Sequence, residues 1–494
     1  MDQRANQGLR PKKRVITVLM LCAVLVNTAF APIQANAGVG PPPNIVVLMI
    51  DDYAASDHRI LERLPTFKSV FLDNGFESLN YWGNDPVCCP GRANFLTGQY
   101  AHHHGVVQND ARLFDPTSSL ATALDGAGYY TNICGKYLNL TGQLTDKTPP
   151  GWDNIAFFGG AYFNYKAWIN GTLEPHGATP ADYSTDVFAG KCETFLSAAP
   201  PTQPVFALMT PLATHRGRNE AGVLNLYEPI PAPRHRGDAR CAGIAPWRPP
   251  NYDSVDLSDK PLYVRNRPRL PKQFAEGLPL TTKCESLLAV DEWLARVVLQ
   301  LGAQGRLTNT VFVLTADNGM GWGALRLIGK STPHSTSMPL FVSWPGRTGT
   351  GLTQSTKLLA NVDLAPTLCE LAGCVLGPYA NGFPVDGQSF AGLIAPQVSS
   401  SVPVRDSIIL EHAGTDETPV WRAIMTNTSH KIGRQFMYVT YSTGERELYR
   451  LGRTPCYAWT PDGLTDPCML VNLASKARYG TIRNLLDKEL KREW

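Results

Sequence analysis

Two apolar runs, each ending in a pair of oxygen-bearing side chains, organise the hydrophobic pattern of this chain. Pro41-Pro42-Pro43 breaks the backbone ahead of Asn44-Ile45-Val46-Val47-Leu48-Met49-Ile50, a run of strand length that ends in Asp51-Asp52. Such a run predicts a strand buried on both faces, and hence a parallel or mixed sheet covered by helices. Residues 310–315 repeat the pattern and end in Ala316-Asp317-Asn318-Gly319. Before them, Leu287, Val290, Leu294, Val297 and Leu301 recur at helical spacing and predict a helix over 286–301. Residues 205–209 read as a further strand. Beyond about Val402 the pattern shortens to strand-like pieces at 407–410, 421–426 and 435–441, with a helical segment over 474–494. The expected fold is α/β: a large mixed, mostly parallel sheet sandwiched by helices, followed by a smaller C-terminal antiparallel sheet plus helix. The expected division is a larger unit over 38–400 and an α+β subdomain over 401–494.

The first 37 residues are set apart from that pattern. Arg10, Lys12, Lys13 and Arg14 form a basic stretch, residues 15–31 are apolar, and Ala35-Asn36-Ala37 offers a small-x-small cleavage site. This reads as a signal peptide over 1–37, removed on export, so that no stable membrane span is expected afterwards. The alternative, an uncleaved anchor, requires a longer apolar run. The segment carries five positive charges and one negative, so removing it takes the formal net charge of +3 to about −1. Charge therefore gives no ground for a nucleic-acid partner. Export predicts an extracellular, periplasmic or lysosome-like destination, where cysteines can pair. Of the eleven cysteines, Cys369 with Cys374 and Cys456 with Cys468 are close enough for local bridges. Asn139-Leu140-Thr141, Asn170-Gly171-Thr172 and Asn427-Thr428-Ser429 are glycosylation sequons, used where the host glycosylates exported proteins.

Carboxylates at the carboxyl end of a central strand lie where open α/β sheets bind ligands. Asp51-Asp52 alone fits a solvated strand end, but with Asp317-Asn318 it makes two strand ends that each deliver a pair of oxygen ligands. That layout suits a hard cation, Ca²⁺ or Mg²⁺, whereas no His/Cys cluster has zinc spacing. His102-His103-His104 cannot all face one ion and are expected in a loop beside the site. A third element is Cys88-Cys89-Pro90-Gly91-Arg92, continued by Ala93-Asn94-Phe95-Leu96-Thr97-Gly98. Its chemistry is a thiol at the entry of a helix, where anions are attracted. The pentapeptide alone fits a buried structural cysteine or an activated one.

The string also resembles the sulfatase signature C-x-P-x-R followed by T-G, in which the first cysteine becomes formylglycine. The resemblance spans nearly all of the chain after the leader. It implies Ca²⁺ (Mg²⁺ as alternative) held by Asp51, Asp52, residue 88, Asp317 and Asn318. It also implies a sulfate surrounded by Arg92, Lys136 of Gly135-Lys136-Tyr137, His215, and Lys330 of Gly329-Lys330. Pro339-Leu340-Phe341-Val342, Asp363-Leu364-Ala365-Pro366-Thr367 and Asp386-Gly387-Gln388-Ser389 match further family segments. The doubled Cys88-Cys89, Gly135-Lys136-Tyr137-Leu138-Asn139, residues 255–261 and Glu285-Ser286-Leu287-Leu288-Ala289-Val290-Asp291 look closest to the N-acetylglucosamine-6-sulfatase type. The family implies hydrolysis of sulfate esters by the hydrated aldehyde at 88, acting on a sulfated carbohydrate or small aryl sulfate. A formylglycine-generating enzyme would be the partner during maturation. The long, Pro- and Arg-rich stretch 200–272 is expected at the rim of the substrate cleft. Glu447-Leu448-Tyr449 and Asn472-Leu473-Ala474 match the family's end, separated here by an inserted loop holding Cys456 and Cys468.

Two departures stand out. Leu138 occupies the position where many sulfatases carry a histidine base, leaving Asn139 or one of His102, His103 and His104 as replacements. The segment between Lys330 and Pro339 is also short, with Ser335 and Thr336 where acidic residues are common. Two other functions fit the same motifs. One is a phosphoester or phosphonate-monoester hydrolase with the same nucleophile; the other is a non-catalytic sulfated-glycan-binding homologue in which Cys88 stays a thiol.

Overall fold

A computed structural model of the chain describes residues 40–54, 58–415, 417–452, 456 and 465–494. The leader-like segment falls outside them. The main sheet has ten strands: β1 Asn44–Ile50, β2 Phe76–Ser78, β3 Tyr130–Gly135, β4 Asn154–Phe158, β5 Tyr165–Ile169, β6 Thr172–His176, β7 Val205–Thr210, β8 Thr310–Ala316, β9 Phe341–Ser343 and β10 Thr353–Ser355. Their spatial order is β10-β2-β9-β8-β1-β7-β3-β4-β5-β6. The block β8-β1-β7-β3-β4 is parallel throughout, while β9, β5 and β6 pair antiparallel to their neighbours.

All seven residues of β1 are buried, which its unbroken apolar run requires of a strand covered on both sides. The period of two divides them between two cores. Val46, Leu48 and Ile50 pack with α2 (Ser184–Ala198) and α3 (Thr281–Ala303). Ile45, Val47 and Met49 pack on the opposite face with α1 (Cys88–Thr97) and α4 (Leu364–Ala372). Helix α3 is longer than its apolar spacing predicts by five residues at the start and two at the end.

The register places chemistry at one edge. Ile50 lies beside Ala316, so the pairs that follow β1 and β8 emerge together. Gly135, the last residue of β3, sits beside Thr210, the last of β7, so the segments carrying Lys136 and His215 leave the same edge. Gly135 has a φ of +117°, and a Cβ there would fall 2.1 Å from the Thr210 carbonyl oxygen, so only glycine permits this approach.

The C-terminal sheet has four antiparallel strands in sequence order: β11 Ser407–His412, β12 Trp421–Thr426, β13 Phe436–Tyr441 and β14 Arg446–Arg450. The last is not marked by any apolar run. The expected helix over 474–494 is shorter, α5 spanning Gly480–Leu490. The cause lies upstream: the Leu473 amide donates to the Leu448 carbonyl of β14 and the Ala474 amide to the Asn472 side chain, so these residues are docked on the sheet.

Among the described residues, four disulfides link Cys134 with Cys192, Cys241 with Cys284, Cys369 with Cys374, and Cys456 with Cys468. The two local pairs are those that spacing suggested. The two long-range ones tie β3 to α2, and the stretch 200–272 to α3. Among the described residues, Cys88 and Cys89 are the free thiols.

Candidate active site

Val87 is extended and Cys88 opens α1, all ten residues of which are buried. The helix reaches this depth because Gly91 lets it meet the end of β8, where a Cβ would stand 2.0 Å from the Asp317 carbonyl oxygen. The Cys88 sulfur lies 3.7 Å from Asp51 Oδ1 and 3.9 Å from Asp52 Oδ1. Lys330 Nζ approaches it to 2.7 Å, donates to Asn318 Oδ1 at 3.2 Å, and also pairs with Asp52. Lys136 Nζ donates to Asp51 Oδ2 at 2.6 Å. Arg92 Nε donates to Asp317 Oδ2 at 2.9 Å, its Nη2 stands 3.4 Å from Asp51, and the Lys136 carbonyl accepts from its Nη1. Asn318 Nδ2 donates to Asp52 Oδ1 at 2.9 Å, and the Asp52 amide donates to Asp317 Oδ1 at 3.1 Å. His215 is the most open member: Nε2 is 3.4 Å from Asp52 Oδ2, and Nδ1 lies 2.6 Å from the Arg216 carbonyl oxygen.

The electrostatics follow from burial and count. Asp51, Asp52 and Asp317 face Arg92, Lys136 and Lys330, three charges against three in a nearly dry site. Burial alone would raise Asp51, but Lys136, His215 and Arg92 hold it below its ordinary value. Asp52 is likewise held low against burial, chiefly by Lys330 and His215. Burial and the Asp51 charge leave Asp317 raised despite Arg92. Burial would lower both lysines; Asp51 keeps Lys136 high, and Asp52 keeps Lys330 high. The Cys88 thiol is pushed up by burial, so it is un-ionised and a weak nucleophile as it stands. Burial raises Cys89 too, to about 11.

One oxygen or sulfur atom each from Asp51, Asp52 and Cys88 and one nitrogen from His215 lie within 4.8 Å of one another. With Asp317 and Asn318 adjoining, the donors are mostly hard oxygens, which suits Ca²⁺ or Mg²⁺ better than zinc.

A profile of the sulfatase family matches residues 43–374. The chain belongs to the sulfatase family. Sulfatases are sulfuric ester hydrolases. The extracellular sulfatase SULF-1 homolog of Drosophila melanogaster is 30% identical over 412 residues, covering 78% of this chain and 34% of that protein. The N-acetylglucosamine-6-sulfatase of Capra hircus is 28% identical, covering 75% of this chain and 66% of that protein. The chain thus spans about a third of the first relative's length and about two thirds of the second's. Among solved structures, a protein in complex with its substrate D-glucosamine-2-N,6-O-disulfate shares the fold with a TM-score of 0.71 at 20% identity, over 92% of this chain and 97% of that one.

The histidine run, expected in a loop beside the site, is helical instead. It forms the short helix Ala101–His104, and each ring is engaged away from the cluster. His102 pairs with Glu411, His103 with Asp386, and His104 with Asn94. Leu138 is buried in the apolar core, and the Asn139 carboxamide oxygen is buried with no hydrogen-bond partner among the described residues. Among the described residues, His215 is the histidine of the cluster.

Three features had no signal in the sequence. Lys283, in the first turn of α3, is buried with Nζ 4.4 Å from the Trp322 ring centre, and burial pulls it down to about 8. The Lys330 loop is gripped by the C-terminal sheet: Trp421 Nε1 donates to the Ser331 carbonyl, and His334 Nε2 meets Glu447 at 3.2 Å. Asp85, just ahead of α1, is buried 3.7 Å from His412, and burial pushes it up to about 6.

The Asp85 shift carries a sign. A carboxyl raised from 3.8 to about 6 favours folding below pH 4, and that contribution is lost as pH rises through 6. The swing is about 3 kcal/mol, from roughly two units at 1.36 kcal/mol each. Urea unfolding of Asp85→Asn against the parent at pH 4 and pH 8 should therefore show the variant gaining up to that amount at the higher pH. A difference independent of pH would show that Asp85 does not titrate in this range.

Proposed function

We propose that the chain is an exported sulfatase that hydrolyses sulfate monoesters of sugars, glucosamine 6-sulfate above all, through residue 88 as formylglycine beside a bound Ca²⁺. The observation that carries this reading is the placement of Cys88: an un-ionised thiol at a helix entry, ringed by three buried carboxylates, the buried cations Arg92 and Lys136, and the half-buried Lys330. Asp51, Asp52, Asp317, Asn318 and residue 88 would hold the cation. The aldehyde hydrate supplies an oxygen nucleophile with a second hydroxyl to reset it, and the dication lowers that oxygen's pKa.

The remaining work falls to the chain's own side chains. With three charges of each sign already balanced, a dication leaves the site about +2, an attractive field for a singly charged sulfate ester. Lys136 and Lys330 would bind sulfate oxygens, their protons held by Asp51 and Asp52. Arg92 helps to hold Asp51 low and keeps Asp317 and Asp51 in place. His215 directs Nδ1–H to the Arg216 carbonyl, which leaves Nε2 as the atom that carries a proton to the departing alcohol. Four disulfides, the leader-like start and kinship with an extracellular sulfatase support export and maturation by a formylglycine-generating enzyme. No helix among the described residues is long and apolar enough to cross a membrane.

The test pairs mass measurement of the residue-88 peptide from exported protein with turnover of matched aryl sulfate and aryl phosphate. Formylglycine at 88 and preference for the sulfate are expected. Preference for the phosphate would make the chain a phosphoester hydrolase, and an intact thiol with binding of sulfated sugar but no turnover a glycan-binding homologue.

A further inference from the structure

Lys330 reaches residue 88 through a flexible four-carbon side chain, and burial alone does not hold it, since that side chain keeps 17% of its surface exposed. Its loop, residues 319–338, is fixed from outside. The Gly321 amide donates to the Gly329 carbonyl and the Gly323 amide to the Leu327 carbonyl, which folds the first arm back on itself. The Arg326 guanidinium ties that arm to the stretch 200–272, donating to the carbonyls of Ser254, Val255 and Arg267 at 2.9, 2.8 and 3.0 Å. The second arm, residues 331–338, carries no carboxylate of its own. The C-terminal sheet supplies its anchors: Trp421 Nε1 on β12 donates to the Ser331 carbonyl at 3.0 Å, and Glu447 on β14 meets His334 Nε2 at 3.2 Å.

Two details give these anchors their leverage. Ser331, next to Lys330, has a φ of +80°, a left-handed conformation disfavoured for a residue with a Cβ and kept only where the surroundings impose it. The Trp421 N–H holds the carbonyl of that same residue, and so fixes the direction in which the chain leaves Lys330. Trp421 also lies directly across from His412 in the register of β11 and β12, so both side chains project from one face. His412 Nδ1 stands 3.7 Å from Asp85, whose carboxyl oxygen accepts from the Val87 amide at the entry of α1. Edge strand β11 bonds Asn84 twice: the Glu411 amide donates to the Asn84 carbonyl, and Asn84 Nδ2 donates to the Ile409 carbonyl. One pair of strands thus holds both the segment before residue 88 and the segment after Lys330. The 2.7 Å between Lys330 Nζ and Cys88 Sγ is set within that common frame.

Resting on the reading of residue 88 and Lys330 as parts of one reacting site, we propose that Trp421 and Glu447 are positioning residues: through Ser331 and His334 they hold the Lys330 ammonium against residue 88 and the sulfate bound there. Misplacing a reacting group by about 1 Å costs roughly 10²-fold in rate. Trp421→Phe keeps a ring and removes the N–H. In the exported protein with calcium it should lower kcat/KM at least tenfold for the sulfate ester the parent turns over. In the Lys330→Ala background the same change should cost less than twofold, because the residue it serves is gone. Labelling with acetic anhydride, read by peptide mass, should modify Lys330 at least fivefold faster in Trp421→Phe and Lys136 at the parent's rate. Glu447→Gln should behave the same way, and it decides should Trp421→Phe fail to fold. Equal losses in both backgrounds, unchanged labelling of Lys330, or faster labelling of Lys136 along with Lys330 would reduce the two residues to ordinary packing. Any of these would overturn the proposal and leave the sulfatase reading standing. A parent that hydrolyses no sulfate ester would overturn that reading, and the labelling ratio alone then decides the positioning.

Discussion

Cys88→Ala loses turnover of any sulfate ester by at least roughly 10³-fold, the scale on which enzymes lose rate when a nucleophile is deleted. Its melting temperature stays within a few degrees of the parent's. The two outcomes separate because the side chain is small and its neighbours are held by one another: Lys136 by Asp51, Arg92 by Asp317, Asn318 by Asp52. Affinity for the substrate should survive, since the cations that would bind sulfate remain. Cys89→Ala is the paired control. Its thiol is also un-ionised and buried, and its amide is bonded to Asn109, away from the carboxylates, so turnover should persist. Steady-state kinetics with scanning calorimetry on both variants tests the assignment; normal turnover in Cys88→Ala would end it.

The largest effect on stability is expected from Arg92→Ala. Arg92 is 1% exposed, and its guanidinium reaches Asp317, Asp51 and the Lys136 carbonyl together. Removing one partner of a buried ion pair costs about 3–5 kcal/mol, because the other charge is left in a dry place. Here two carboxylates are left, one of them already raised by burial and its neighbour. Arg92→Lys should recover only part of the loss, since an ammonium cannot span three acceptors held by a planar fork. Urea unfolding should also show a smaller loss in calcium than in chelator, as a dication would compensate the same carboxylates. A loss below about 1 kcal/mol in chelator would mean that the cluster is hydrated and that its charges screen one another in water.

The strand ends were legible because chemistry and burial coincide there. β1 begins and ends where its apolar run does, bounded by prolines on one side and Asp51-Asp52 on the other. Parallel pairing then brings Asp317, Lys136 and His215 to the same edge. β14 was not legible, because Arg446-Glu447-Leu448-Tyr449-Arg450 looks like a solvated turn; Glu447 is buried there by bonds to His334, Tyr441 and Tyr449. The histidine run misled for the same reason. Its partners Glu411 and Asp386 lie about 300 residues away in sequence, and only tertiary structure brings them close. Lys283 sits on an apolar helix face, where local pattern assigns a lysine to solvent. Long-range disulfides share this invisibility, since cysteine spacing carries no sign of which strand will lie beside which helix.

The depth of α1 sets an order of events in the life of the molecule. Cys88 is 2% exposed, at the start of a helix wedged between the ends of β1 and β8 and covered by the Lys330 loop. A second protein cannot lay an active site over that sulfur once these elements have closed. Any enzymatic oxidation of Cys88 therefore competes with folding for the nascent chain. Molecules that fold first would be sealed as well-formed but inert copies, so the active fraction of a preparation would record that race.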